Sequence, residues 1–166
     1  MIRASAMGMA GVGGAIGPIY AAALLAVAAE LQAGVARPAE RVPADDQVAT
    51  IAACAAAALQ AVTGLGGAKP GDKTIVDALA PVVSVLRSAA SEGQALPSAL
   101  EAARIAARRG AESTVGMTAA VGRSSRFGER SRGTADPGAS SFALIVDALV
   151  VSVIGTPERA GDREAG

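Results

Sequence analysis

An all-α fold without a sheet is what this 166-residue sequence predicts. Its long apolar runs are bounded by helix caps and stops, and none alternates apolar and polar residues as a half-buried strand would. Hydrophobic residues make up 51% of the chain but aromatics only 2%, so the interior must be built from small aliphatic side chains. Helices with alanine-rich faces can approach closely enough to pack such side chains. The length suits one domain with a proper core and is too short for two.

The elements follow in order. Ile2 to Ala10 reads as a short helix. Pro18 sits at a favoured first helical position and Gly34 at a stop, framing a helix from Pro18 to Ala33. Asp45 or Asp46 can cap the next, through Val48 to Val62, which ends at Gly64. Thr74 or Asp72 opens a third, with Ile75, Leu79, Val82, Val83 and Leu86 on one face, to about Ser91. Pro81 should bend that helix or mark a restart. Pro97-Ser98 begins a longer helix through Leu100, Ala103, Ile105 and Ala107, with Gly110 and Gly116 as candidate interruptions before Ala120. Ser140 to Ile154 is apolar apart from Asp147 and three serines, so it is expected to be a helix buried in the core. Its Val150-Val151-Ser152-Val153-Ile154 run has strand propensity too; length and the lack of partner strands favour helix. One domain over 1–154 and a disordered polar tail over 155–166 complete the division, with Gly34 to Pro43 an exposed linker.

Composition also excludes several chemistries. Lys plus Arg and Asp plus Glu both number 15, which removes the electrostatic footprint of a nucleic-acid binder. The arginines between 104 and 132 still form a local basic region, suited to a small anion. The sequence holds no histidine and one cysteine, Cys54, so a Ser/His/Asp triad, a His general base, a Cys-based metal site and an intrachain disulfide are all excluded. Ile19 to Leu31 is apolar, but a span needs roughly 20 such residues, and Gly17-Pro18 interrupts the run. The expectation is a cytoplasmic protein that binds neither membrane nor nucleic acid.

Three polar, glycine-punctuated islands carry the functional signal. Gly13-Gly14-Ala15-Ile16-Gly17-Pro18 leads into a helix, where unpaired backbone N–H groups can hold a phosphate; a tight helix crossing would explain the same glycines. Lys69-Pro70-Gly71-Asp72-Lys73-Thr74 looks superficially like the end of a P-loop but lacks its first glycine and its spacing. The plainer reading has Asp72 and Thr74 capping a helix while Lys73 points outward. The third island runs from Gly122 to Ser131 and on to Asp136-Pro137-Gly138. Arg123 can fork two bonds onto a phosphate or carboxylate, Asp136-Pro137-Gly138 forms a turn, and Glu129 and Arg130 can pair with each other or cap neighbouring helices.

In this order the islands resemble the nucleotide-binding L subunit of dihydroxyacetone kinases, the DhaL family, from about Met7 to Val151. The resemblance implies an antiparallel helical barrel that binds ADP or ATP with magnesium at one end. The nucleotide would pass a phosphoryl group to a small ketose held on a separate K subunit, with a phosphotransferase-system subunit as a further donor. Carried over by position, the nucleotide contacts are Ala15, Ile16, Gly66, Ile75, Arg123, Asp136, Pro137 and Gly138; no residue is assigned as catalytic. Ile16 stands where the family usually has serine. The family's magnesium-binding acidic cluster lies upstream of the equivalent of Met1, so the expectation is a chain short of the first helices, without a metal site of its own. Uncovered apolar faces then predict a homodimer. The alternative function is a catalytically inactive DhaL-like protein with a binding or regulatory role.

Overall fold

A computed structural model of the chain describes residues 2–10, 15–35 and 44–155. They form α1 (Ile2–Ala10), α2 (Ile16–Val35), α3 (Ala44–Gly66), α4 (Ile75–Ser91), α5 (Leu96–Ser113) and α6 (Pro137–Ile154). Two 3-10 segments, Thr114–Gly116 and Arg123–Ser131, fill the connection between α5 and α6. No strand occurs among the described residues. Each helix packs on its neighbours in sequence, and α4 also packs on α6, which makes α4 the centre of the bundle. The predicted linker beyond Val35 and the tail beyond Gly155 lie outside the described residues, as do the side chains of Asp45 and Asp46.

The centre is built on small residues. Ala99, Ala103, Ala107 and Ala111 recur every fourth position along α5, all buried, and with Gly110 form a low ridge against α4. From α4, Ala78, Val82, Leu86 and Ala89 share the same cluster, with Val48 and Ala52 of α3 and Ala139 and Ala143 of α6. A second cluster surrounds Ile75, Val76, Leu79 and Val83, joined by Tyr20 of α2 and Ala58 and Val62 of α3. Closest approach falls at Gly110: a Cβ there would lie 2.4 Å from the Asp77 carbonyl oxygen and 2.7 Å from Ala78 Cα.

Several helix readings need correction. Of the two readings of Pro81, the restart is not found: α4 is one helix from Ile75 to Ser91 with the proline inside it. Proline lacks the N–H that would bond Asp77 C=O four residues back, and that carbonyl instead faces the bare Cα of Gly110. Gly110 likewise does not interrupt α5; the helix runs to Ser113 and tightens into the 3-10 turn that ends at Gly116. Nor does Gly17-Pro18 break α2, because Pro18 falls within the first turn, where no N–H partner is needed. The apolar stretch there is therefore longer than the sequence suggests. By length and composition alone, Ile16–Gly34, Gln47–Gly66 and Pro137–Ile154 could each cross a membrane.

The largest departure is α6. It is helical as predicted but not buried in the core: of its residues only Ala139, Ala143 and Val150 are buried, while Leu144 is 70% exposed and Leu149 and Val153 are each 60% exposed. A helix apolar all round does not reveal which face meets its neighbours. Here Ala139 and Ala143, with Phe142 and Val146 beside them, face the core, and Leu144, Leu149 and Val153 point away.

Candidate functional site

The starts of α2, α4 and α6, the end of α3 and the segment before the longer 3-10 turn surround one cavity of about 590 Å³. Ala15, Ile16, Gly66, Ile75, Arg123, Asp136, Pro137 and Gly138, singled out by position in the sequence, all line it. Residues 11–14 of the first glycine island lie outside the described residues. Ile19, Val62, Leu65 and Val121 add apolar wall. The α2 N-terminus presents its first residues to the same space, and the unpaired N–H groups of a helix start make it favourable for an anion; those of α6 are already taken by Asp136.

Lys73 was misread as outward. It is 4% exposed, takes a left-handed φ of 60°, and lines the cavity. Its Nζ donates to the carbonyls of Thr134 (2.6 Å), Thr114 (2.8 Å) and Met117 (3.2 Å), which uses all three ammonium protons. A buried charge is tolerated only when satisfied in this way, and the result is a staple drawing together three segments distant in sequence. Asp72 does not cap α4 either; its carboxylate accepts from Lys69 N–H. The cap is Thr74, whose hydroxyl accepts from Val76 N–H, while the Asp77 carboxylate accepts from Thr74 N–H in a capping box.

The Asp136-Pro137-Gly138 turn is set from two sides. Thr114, fully buried, accepts from Asp136 N–H through its hydroxyl, and Lys73 holds the Thr134 carbonyl just before it. Asp136 then caps α6 by accepting from Ala139 N–H at 2.8 Å. Gly138 leaves the room this needs, since a Cβ there would come within 2.9 Å of the Asp136 carboxylate. At the cavity floor Tyr20 hydrogen-bonds Ser141 across 2.8 Å, and Ser141 donates to the Gly138 carbonyl. Lys73 and Tyr20, which line the cavity, and Thr114 and Ser141, which hold its turn and Tyr20, carry no signal in the sequence that marks them as site residues.

Burial pushes the Asp136 carboxyl above its ordinary range, against the bonds from Ala139 and Gly138; the Asp77 carboxylate adds to the rise and the Lys73 ammonium opposes it. The folded protein therefore holds this proton more tightly than the unfolded chain. The group's stability contribution is complete below about pH 4 and is lost as pH rises through the raised value. Asp136→Asn keeps a capping acceptor without the charge, so its melting temperature should fall less than the parent's between pH 4 and 7. Asp136→Ala should cost about 1 kcal/mol through the lost cap. An Asn variant with the parent's pH slope would contradict this assignment.

Among the described residues no three His, Cys, Asp or Glu side chains converge as a metal site. The cavity offers the N-terminus of α2, an exposed arginine at the rim and an apolar wall, a combination suited to an anionic ligand with an apolar or planar portion.

Fold and cavity together define an all-helical domain with one anion-suited pocket at the helix starts. The family model of the DAK2 domain matches residues 1–151, and the chain belongs to that family. It is 49% identical over 106 residues to the L-erythrulose 1-kinase of Mycolicibacterium smegmatis, which covers 64% of this chain and 18% of that protein. To the ADP-binding subunit DhaL of the PEP-dependent dihydroxyacetone kinase of Escherichia coli it is 44% identical over 91 residues, 55% of this chain and 43% of that subunit. The chain thus spans less than half the length of these relatives. The crystal structure of the dihydroxyacetone kinase of C. freundii superposes with a TM-score of 0.62 at 27% identity, over 91% of this chain and 23% of that one.

Proposed function

We propose that this chain is the nucleotide-binding part of a dihydroxyacetone kinase-type phosphotransferase, with ADP or ATP in the cavity between the starts of α2 and α6. The phosphoryl group passes to a small ketose, a triose or a tetrose such as erythrulose, held on a partner K subunit. One observation carries the reading: the eight positions matching the family's nucleotide contacts, spread from Ala15 to Gly138, share one cavity. The apolar wall of Val62, Leu65 and Ile75 accepts the base. The α2 start and Arg123 face the phosphates, where charge-assisted bonds are strongest. The relatives named as kinases and as an ADP-binding subunit support this. A homodimer through the exposed aliphatic faces of α2 and α6 and a cytoplasmic location belong to the same proposal.

Arg123→Ala should weaken ADP binding about tenfold or more, a loss of roughly 1.5 to 3 kcal/mol for a hydrogen bond to a charged group. Calorimetric titration of ADP checks it. A parent that binds no ADP would replace this reading with that of a silent helical protein, and an Arg123→Ala protein binding as tightly as the parent would remove Arg123 from the phosphate site.

A further inference from the structure

The 3-10 segment Arg123–Ser131 has a fixed back and a front with no task inside the molecule. Its back is pinned at several points. The buried Ser131 accepts from Ala119 N–H and donates to the Gly128 carbonyl; Glu129 accepts from Thr118 and pairs with Arg132; Arg132 also donates to the Gly116 carbonyl. The pairing of Glu129 with Arg130 read from the sequence is therefore not made. On the front, Arg123, Arg126 and Arg130 are exposed and make no hydrogen bond or ion pair with any described residue, and Phe127 beside them is 57% exposed. Elsewhere in the basic region Arg104 and Arg108 are both tied to Asp147. Arg3, Arg87 and Arg109 are exposed and unpaired too, but only here do three such guanidinium groups stand on one short segment, whose first residues form the cavity rim.

We infer that Arg126, Phe127 and Arg130 form the docking surface for the ketose-holding partner protein, which meets it with an acidic face and an apolar notch for the phenyl ring. This rests on the reading of the chain as a nucleotide-binding subunit. Arginine and aromatic side chains dominate the energetics of protein–protein contacts. A preordered segment loses little entropy on binding. Location adds the functional reason: a group leaving the cavity passes the rim at Arg123, so a partner seated on the adjoining residues brings its acceptor to the mouth. Charge complementarity fixes the partner's sign as negative. Membrane and nucleic acid are less suited, because the segment offers one aromatic residue rather than an apolar helix face, and the chain as a whole has no net charge.

The test uses the full chain and, as probe, the purified K subunit of the Escherichia coli dihydroxyacetone kinase, with ADP present. Calorimetry or surface plasmon resonance should show saturable binding that weakens with added salt. Arg126→Glu combined with Arg130→Glu should weaken it at least tenfold, and Phe127→Ala several-fold, while ADP titration of both variants stays at the parent's value. Unchanged ADP binding excludes misfolding as the cause. Variants that bind the K subunit like the parent overturn the inference, as does a parent that binds ADP but no K subunit. If the charge-reversed protein instead loses binding to phosphatidylserine vesicles or to a single-stranded oligonucleotide while K-subunit binding is untouched, the surface serves that other ligand. A parent without ADP binding fails the underlying functional reading, a result distinguishable from all of these.

Discussion

Replacing Lys73 with methionine should lower the melting temperature by roughly 10 °C or more, corresponding to a loss of about 3 to 5 kcal/mol. The methionine fills similar volume, so packing is nearly preserved and the loss isolates the ammonium. Without it the carbonyls of Thr114, Met117 and Thr134 lose the donor they share, and each buried unsatisfied group costs about 1 to 3 kcal/mol. The damage should reach the cavity, because Thr134 precedes the Asp136 turn and Thr114 holds its N–H. ADP affinity should fall together with stability. Differential scanning calorimetry of Lys73→Met against the parent checks the first part; a shift below about 2 °C would mean that water replaces the ammonium at the carbonyls without penalty.

Gly110→Ala should be nearly as damaging, by about 3 kcal/mol. The added methyl would sit 2.4 Å from the Asp77 carbonyl and 2.7 Å from Ala78 Cα, both backbone atoms that cannot rotate away. Relief requires α5 to move off α4, and that opens the central cluster along the alanine ridge. Gly64→Ala in α3 provides the contrast. That glycine is exposed with nothing within 4 Å of its missing Cβ, so the same substitution should stabilise by about 0.5 to 1 kcal/mol. Urea unfolding of the two variants should therefore move the midpoint in opposite directions. Equal shifts of one sign would show that helix propensity, not the α4–α5 approach, governs position 110.

Most helices were legible because their signals are local. Thr74 before an apolar face with Asp77 three residues on, Pro97 within a first turn, and Asp136 before Pro137 each state a helix start in consecutive residues. The candidate site was legible by resemblance rather than by chemistry, since Ala15, Ile16, Gly66 and Ile75 carry no functional group that would attract notice. What stayed hidden depends on partners far along the chain. The direction of Lys73 is decided by carbonyls 41, 44 and 61 positions away. Asp147 draws in both Arg104 and Arg108 from α5, a pairing across 43 and 39 positions.

The sequence by itself determined an all-helical chain built on alanine, the absence of histidine and disulfide chemistry, and the three islands where a ligand could be met, because periodicity, caps and composition are properties of neighbours along the chain. Only the tertiary structure decided that the islands close on one cavity, that Lys73 turns inward, that Pro81 and Gly110 accommodate each other, and that α6 leaves Leu144, Leu149 and Val153 outside. Each of these depends on which backbone carbonyl or helix face lies opposite, and that opposition exists only once the helices have packed.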